Sequence, residues 1–138
     1  MTNDKIQMAN EMTNNQCFND KKANRTFDLE ERTLALAKRC IDLCKLIQTD
    51  VFNSELIRQL IRSASSVGAN YCEAHESITR KDFNHRISIC RRESKETKYW
   101  LELLSHTNPL FSDKAAPLID ESLQLTRIFA RINKNIGG

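Results

Sequence analysis

The sequence predicts an all-α protein, an up-down-up-down antiparallel four-helix bundle. Apolar residues recur every three or four positions in four long segments, and short polar breaks separate these segments. Only three Gly and two Pro occur in 138 residues, so little of the chain is suited to turns. Short connections make consecutive helices antiparallel neighbours, which predicts the bundle topology.

Length and composition indicate a single globular unit. A chain of 138 residues buries one core, and its +3 net charge is compatible with nucleic acid without requiring it. Cysteines stand at positions 17, 40, 44, 72 and 90, an odd number with no signal peptide ahead of them. We therefore expect reduced thiols and a cytoplasmic protein with no membrane span.

The bundle domain is expected over residues 27–138. Residues 1–26 are polar and lack a sustained apolar period, so we expect them to form a disordered amino-terminal arm. The first helix should begin near Asp28, with Glu31 completing a capping box. The apolar stripe of this helix comprises Leu34, Ala37, Ile41 and Cys44, widened by Leu36, Cys40, Leu43 and Ile47.

The second helix follows a turn at residues 50–53. Ser54 is the expected cap, and the helix should end near Glu76 or Ser77. Small residues are frequent from Arg62 to Ala74, which predicts close packing between the second and third helices. The apolar positions of this segment are Ile57, Leu60, Ile61, Ala64, Val67, Tyr71 and Ala74.

The third helix should begin near Thr79 and end before Asn108-Pro109, because proline removes a backbone donor. Ser112 or Asp113 is expected to cap the fourth helix, although Pro117 leaves its start open by several residues. The third helix has a seam that turns polar in its middle, formed by Phe83, Ile87, Cys90, Ser94, Thr97, Leu101 and Leu104. The apolar side of the fourth helix consists of Leu118, Leu125, Ile128, Phe129, Ile132 and Ile136.

Motifs for metal binding and catalysis are incomplete. A carboxylate-bridged di-iron bundle needs Glu-x-x-His on two helices, and the nearest match is a single Asp82-x-x-His85. Cys72-x-x-His75 and Cys40-x-x-x-Cys44 lack partner pairs, so we interpret them as core cysteines and a surface histidine.

No Gly-x-Ser-x-Gly or glycine-rich phosphate loop is present. We expect no metal, no cofactor and no enzymatic activity, and a metalloenzyme is the weakest functional alternative.

Polar residues border the apolar seam of the second and third helices. Buried carboxylates need partners, and Arg62, Lys98 or Tyr99 are the nearest candidates. We favour a structural polar network that fixes helix register over a catalytic carboxylate cluster. The network residues are Asn70, Glu73, Glu93 and Glu96.

Basic residues form rows with helical spacing. Residues 80–98 contain seven positive and three negative side chains, a net charge of +4. Such rows could follow a phosphate backbone, and a solvated helix face explains them about equally well in a monomer. The candidate nucleic-acid-binding residues are Arg58, Arg62, Arg80, Lys81, Arg86, Arg91, Arg92, Lys95, Lys98, Arg127, Arg131 and Lys134.

Several blocks, in order, give the chain a family resemblance over residues 27–135. These blocks are residues 59–64, residues 66–70, Glu73-Ala74, Asp82-Phe83 and residues 96–101. The chain resembles the 23S rRNA intervening-sequence proteins, some of which are encoded within insertions in bacterial rRNA genes. The resemblance implies a homopentameric ring of up-and-down bundles. A related group consists of accessory proteins of the reverse transcriptases of diversity-generating retroelements, which bind nucleic acid and the polymerase. The long amino-terminal extension and the mild net charge depart from that pattern.

Two functions follow as expectations. The first is a non-enzymatic oligomer that binds structured RNA through its basic rows, with salt-sensitive and largely sequence-independent affinity because no aromatic platform is evident in the sequence. The alternative is a protein-binding adaptor, such as a reverse transcriptase accessory subunit, that recruits a polymerase.

Overall fold

A computed structural model describes residues 29–137, and the expected arm and Asp28 lie outside this range. Four long helices make up the described part: α1 (Leu29–Leu46), α2 (Val51–Ala74), α3 (Arg80–Thr107) and α4 (Ser112–Gly137). A 3-10 turn, Pro109–Phe111, precedes α4, and no strand occurs among these residues. The all-α prediction is confirmed.

The helices form an antiparallel bundle in which each helix packs against two neighbours. Helix α3 packs extensively along α2 and α4, whereas α1 contacts α2 and, to a smaller extent, α4. The pairs α1/α3 and α2/α4 are the diagonals of the bundle. None of the four described helices has the length and hydropathy needed to cross a membrane.

The core runs along the bundle axis and is largely the predicted one. The rings of Tyr71 and Phe129 meet across the α2/α4 diagonal, with centroids 5.9 Å apart. Most predicted seam residues of α3 are buried, including the polar Ser94 and Thr97, and only Phe83 is half-buried. The core clusters around the buried apolar residues Leu29, Leu36, Cys40, Leu43, Leu60, Ala64, Val67, Tyr71, Ile87, Cys90, Leu101, Leu104, Leu118, Leu125, Phe129 and Ile132.

The predicted inward face of α1 was partly wrong. Leu34 is 54% exposed and Ile41 is 36% exposed, whereas Thr33 is buried. The apolar stripe of this helix is wider than the arc that its two neighbours can cover. The helix is therefore rotated so that the side carrying Leu36 and Cys40 faces the core, and the other edge of the stripe lies in solvent.

A close approach between α1 and α2 explains this rotation. A Cβ atom added at Gly68 would lie 3.0 Å from Oγ1 of Thr33. The glycine therefore leaves room for the threonine side chain, despite the cost of glycine within a helix. The small residues of α2 predicted close packing against α3, whereas the close approach at Gly68 is to Thr33 of α1.

Both boundaries of α2 differ from the prediction, and both boundaries of α3 agree with it. Helix α2 begins at Val51 because Asp50, rather than Ser54, is its cap. The Asp50 carboxylate accepts a 2.6 Å hydrogen bond from the backbone N–H of Asn53. The same helix ends at Ala74, earlier than expected. Thr79 caps α3 as predicted, accepting from the Asp82 amide at 3.1 Å. Helix α3 also ends before Asn108, and α4 begins at Ser112 and continues through Pro117.

Candidate nucleic-acid interface

Helices α3 and α4 bring two rows of basic residues to neighbouring positions. The Asn133 side-chain amide donates to the Asn84 carbonyl oxygen at 2.9 Å and to its Oδ1 at 2.8 Å. These bonds place the carboxyl-terminal half of α4 beside the amino-terminal half of α3. Helix α4 contains no acidic residue after Glu121, so its carboxyl-terminal half has only basic charges.

We call the resulting surface the α3/α4 basic face. All of its members are exposed, and none forms an ion pair with a carboxylate within residues 29–137. Their charges are therefore available to a ligand. The face consists of Arg80, Lys81, Arg91, Arg92 and Lys95 on α3 with Arg127, Arg131 and Lys134 on α4.

The other basic candidates on α2 and α3 are engaged within the protein. Arg58 pairs with Glu55 at 3.0 Å, and Lys98 pairs with Glu102. Because α2 is diagonal to α4, Arg58 does not share a surface with the basic row of α4. The predicted candidates therefore do not form one continuous patch.

Arg62 and Arg86 connect α2 to α3. The Arg62 guanidinium lies 2.7 Å from a Glu96 oxygen and 3.9 Å from a Glu93 oxygen. The half-buried Arg86 donates to Asn70 Oδ1 at 3.1 Å. Arg62 thus neutralises carboxylates of α3, and Arg86 supplies a hydrogen bond to a polar side chain of α2.

Three of the four residues of the predicted polar network fall into two clusters, and Glu73 belongs to neither. Asn70 donates to the carbonyl and hydroxyl oxygens of Ser66, each at 2.9 Å, and accepts from Arg86. Glu93 and Glu96 share Arg62 instead. Glu73 is exposed, and its carboxylate makes no hydrogen bond or ion pair within the described range.

Glu93 is the electrostatically perturbed member of the Arg62 cluster. Burial raises the pKa of its carboxyl group, the nearby Glu96 raises it further, and Arg62 and Arg92 act in the opposite direction. One carboxylate oxygen of Glu93 is buried without a hydrogen-bond partner. Glu93 is therefore a weakly compensated charge beside the α2/α3 seam.

The tertiary structure reveals polar contacts between helices that the sequence analysis missed. Thr97 Oγ1 lies 3.0 Å from Ser63 Oγ in the buried α2/α3 interface. Arg32 donates to both carboxylate oxygens of Glu121, at 3.1 and 2.6 Å, and ties α1 to α4. Small hydroxyl residues at seam positions were the available signal for the first contact, whereas Arg32 resembles any other surface cation in the sequence.

The cysteine and histidine environments correct one interpretation. Cys40 and Cys44 are core residues as expected, but Cys72 is exposed and His75 is half-buried, the reverse of the predicted arrangement. Burial raises the thiol pKa of Cys40 and Cys90 to about 12, so these thiols are protonated at neutral pH. No group of three metal-ligating side chains occurs within residues 29–137.

His75 closes one end of the core between aromatic rings. Its ring centroid lies 4.5 Å from that of Tyr71 and 6.3 Å from that of Phe83. Neither ring nitrogen has a hydrogen-bond partner within the described range. Burial lowers the pKa of this histidine, and the Glu76 carboxylate offsets part of that effect.

This environment predicts acid-sensitive stability. As pH falls below the ordinary histidine pKa of about 6.5, the unfolded chain binds a proton at His75 before the folded chain does, so stability is lost. Urea titrations at about pH 7 and about pH 5 should show a smaller acid-induced loss in His75→Phe than in the wild type. His85→Gln alters an exposed histidine and is the control. An unchanged pH dependence in His75→Phe would assign the effect to other groups.

Comparisons with known proteins agree with this fold. A solved structure from Bacteroides thetaiotaomicron VPI-5482, described as a protein with unknown function from the S23 ribosomal protein family, is 29% identical, with a TM-score of 0.68. The match covers 77% of this chain and 98% of that chain. Among curated proteins, none matches significantly. The sequence model of the family described as "23S rRNA-intervening sequence protein" matches residues 25–131. The chain therefore belongs to the 23S rRNA-intervening sequence protein family.

Proposed function

We propose that this protein is a non-enzymatic, cytoplasmic bacterial protein that binds structured RNA through the α3/α4 basic face. The observation that carries the proposal is the set of exposed cations on two adjacent helices that have no carboxylate partner within residues 29–137. The family description, which refers to 23S rRNA, supports RNA as the polyanion. The absence of a disulfide among the four cysteines of the described range supports the cytoplasmic location.

The energetic basis is phosphate neutralisation. Each cation that contacts a phosphate releases bound counterions, so affinity falls as salt concentration rises. Cations that already pair with carboxylates contribute less, because an RNA phosphate must replace an existing partner. The unpaired residues of the α3/α4 basic face should therefore dominate binding over Arg58, Arg62 and Lys98.

A charge-matched pair of variants tests this assignment. Changing Arg91, Arg92 and Lys95 to Gln should weaken binding to a structured RNA and reduce the slope of log affinity against log salt by roughly 2–3. The control changes Lys38, Arg39 and Lys45 to Gln, which removes the same charge from exposed positions on α1. Anisotropy titrations at two or more salt concentrations give both quantities.

The two variants separate a local site from a general charge effect. The control should retain most of the wild-type affinity, since α1 is diagonal to α3. Equal weakening by both variants would mean that only net charge matters. Absence of wild-type binding at low salt would reject the RNA proposal itself.

We propose a homopentamer as the working assembly, on the family resemblance. In a ring, the α3/α4 basic faces of all protomers would add to one positive electrostatic potential. This sum would increase the affinity for a long RNA. Light scattering of the full chain should give about five times the 16.0 kDa protomer mass. A strictly monomeric protein would contradict this assembly.

A protein-binding adaptor is the second candidate, and an exposed apolar end of the bundle favours it. Leu46, Val51, Phe52 and Leu110 are 51%, 83%, 74% and 94% exposed. Hydrogen bonds between Asn53 and Asn108 place the α1–α2 and α3–α4 connections together at this end. Exposed apolar groups concentrated in one region are typical of protein contact sites.

A shallow groove of about 210 Å³ adjoins the apolar end, between α1 and α4. Leu43, Leu46 and Leu118 supply its apolar wall, and Arg39, Asp42 and Lys114 supply its polar rim. This volume is smaller than a typical small-molecule pocket of roughly 300–1,000 Å³, and a side chain of a partner protein would fit it better. A polymerase subunit that binds wild type but not Phe52→Ser/Leu110→Ser would support the adaptor function.

A further inference from the structure

Tyr99 continues the basic row of α3. Arg92, Lys95 and Tyr99 occupy positions i, i+3 and i+7, so they lie on one side of the helix within about two turns. Both cations are exposed and unpaired within the described range, and Tyr99 is 56% exposed. The exposed face of this aromatic ring is apolar surface in contact with water. A planar ligand group that stacks on the ring would bury that surface beside the cations.

The Trp100 ring packs against the Tyr99 ring. The two ring centroids lie 5.2 Å apart, and the two planes are inclined by 78°. The Trp100 indole nitrogen donates to a Glu96 oxygen at 3.4 Å, and that oxygen also accepts from Arg62 at 2.7 Å. A ring that is already oriented loses little conformational entropy when a ligand stacks on it.

We infer that Tyr99 stacks on an unpaired base of bound RNA while Arg92 and Lys95 hold the adjoining phosphates. This inference rests on the proposed RNA binding and names the ligand class as single-stranded or looped RNA. Bases within an A-form duplex are already stacked on one another, and side chains cannot enter its narrow major groove. An unpaired base leaves its π face free, and stacking on an aromatic residue tolerates any base.

The experiment compares a short oligouridine with a blunt RNA duplex of the same strand length. Tyr99→Ala should weaken oligouridine binding by roughly 5- to 100-fold, the effect of removing one base-stacking contact, and should leave duplex binding unchanged. Tyr99→Phe keeps the ring and should bind oligouridine like the wild type. Tyr99→Leu keeps apolar bulk without the ring and should behave like Tyr99→Ala.

Trp100, the chain's single tryptophan, provides a second readout. Because it contacts Tyr99, its emission should change when oligouridine binds to the wild type or Tyr99→Phe, and should change less in Tyr99→Ala at matched occupancy. Circular dichroism establishes that the variants are folded.

The outcomes distinguish this inference from the proposed function. Wild-type binding to both RNAs with no selective loss in Tyr99→Ala would overturn the stacking role and leave RNA binding intact. Failure of the wild type to bind either RNA would reject both. A changed solution mass in Tyr99→Ala, with unchanged oligouridine binding per protomer, would assign Tyr99 to a contact between protomers and overturn the inference.

Discussion

Replacing Phe129 with alanine is expected to lower the free energy of unfolding by about 3–5 kcal/mol. Phe129 is fully buried in α4, and its ring meets Tyr71 across the bundle diagonal. Truncation removes buried apolar surface and leaves a cavity that four packed helices cannot close completely. Urea titration should show a lower midpoint with an unchanged slope.

Phe52→Ala is the matched control for this prediction. Phe52 is 74% exposed, so the same truncation should change stability by no more than about 0.5 kcal/mol. Both variants should be measured at two protein concentrations, because association can add stability to an oligomer. A cost at Phe52 comparable with that at Phe129 would contradict the solvent exposure of the apolar end.

Replacing Asn53 with leucine is expected to lower the free energy of unfolding by about 2–3 kcal/mol, the upper part of the range for an orphaned buried polar group. Asn53 is only 3% exposed. Its amide donates to the Gln48 carbonyl at 3.0 Å and to Asn108 Oδ1 at 3.1 Å, and its Oδ1 accepts from the Asn108 amide at 2.8 Å. Leucine has a similar volume but satisfies none of these groups.

Asn135→Leu provides the same substitution at an exposed position of α4 and should be nearly neutral. The double variant Asn53→Leu/Asn108→Leu should cost less than the sum of the two single variants, because the reciprocal amide bonds are lost only once. If the loss of stability in the double variant equals the sum of the losses in the two single variants, the two side chains do not depend on one another. Thermal and urea unfolding of the four proteins complete the cycle.

The extent of successful prediction differs between helices. The seam of α3 was correctly predicted because Ile87, Cys90 and Leu101 keep one unbroken helical period and the helix has neighbours on both sides. In α1 the apolar stripe is too wide to define a single direction. The burial of Leu36 and Cys40 and the close approach of Thr33 to Gly68 show which part of that stripe faces the core.

The candidate interface was also predicted only in part. Helical spacing predicted the row containing Arg91 and Lys95, both of which are exposed. The sequence also placed Arg62 among the candidate partners of the seam carboxylates, and the structure pairs it with Glu96 on the next helix. The sequence likewise placed Tyr99 among the candidate partners of buried carboxylates, whereas the structure leaves it largely in solvent beside the basic row.

Backbone geometry within a helix repeats every 3.6 residues, so a linear pattern was sufficient to predict four helices, their approximate ends and most of the core. Which cations remain unpaired depends instead on the carboxylates that a neighbouring helix supplies. That choice follows from helix rotation and adjacency, which arise from packing between residues far apart in sequence. The α3/α4 basic face is therefore a property of the assembled bundle, formed where α4 lies beside α3 and neither helix supplies acidic partners to the other's exposed cations.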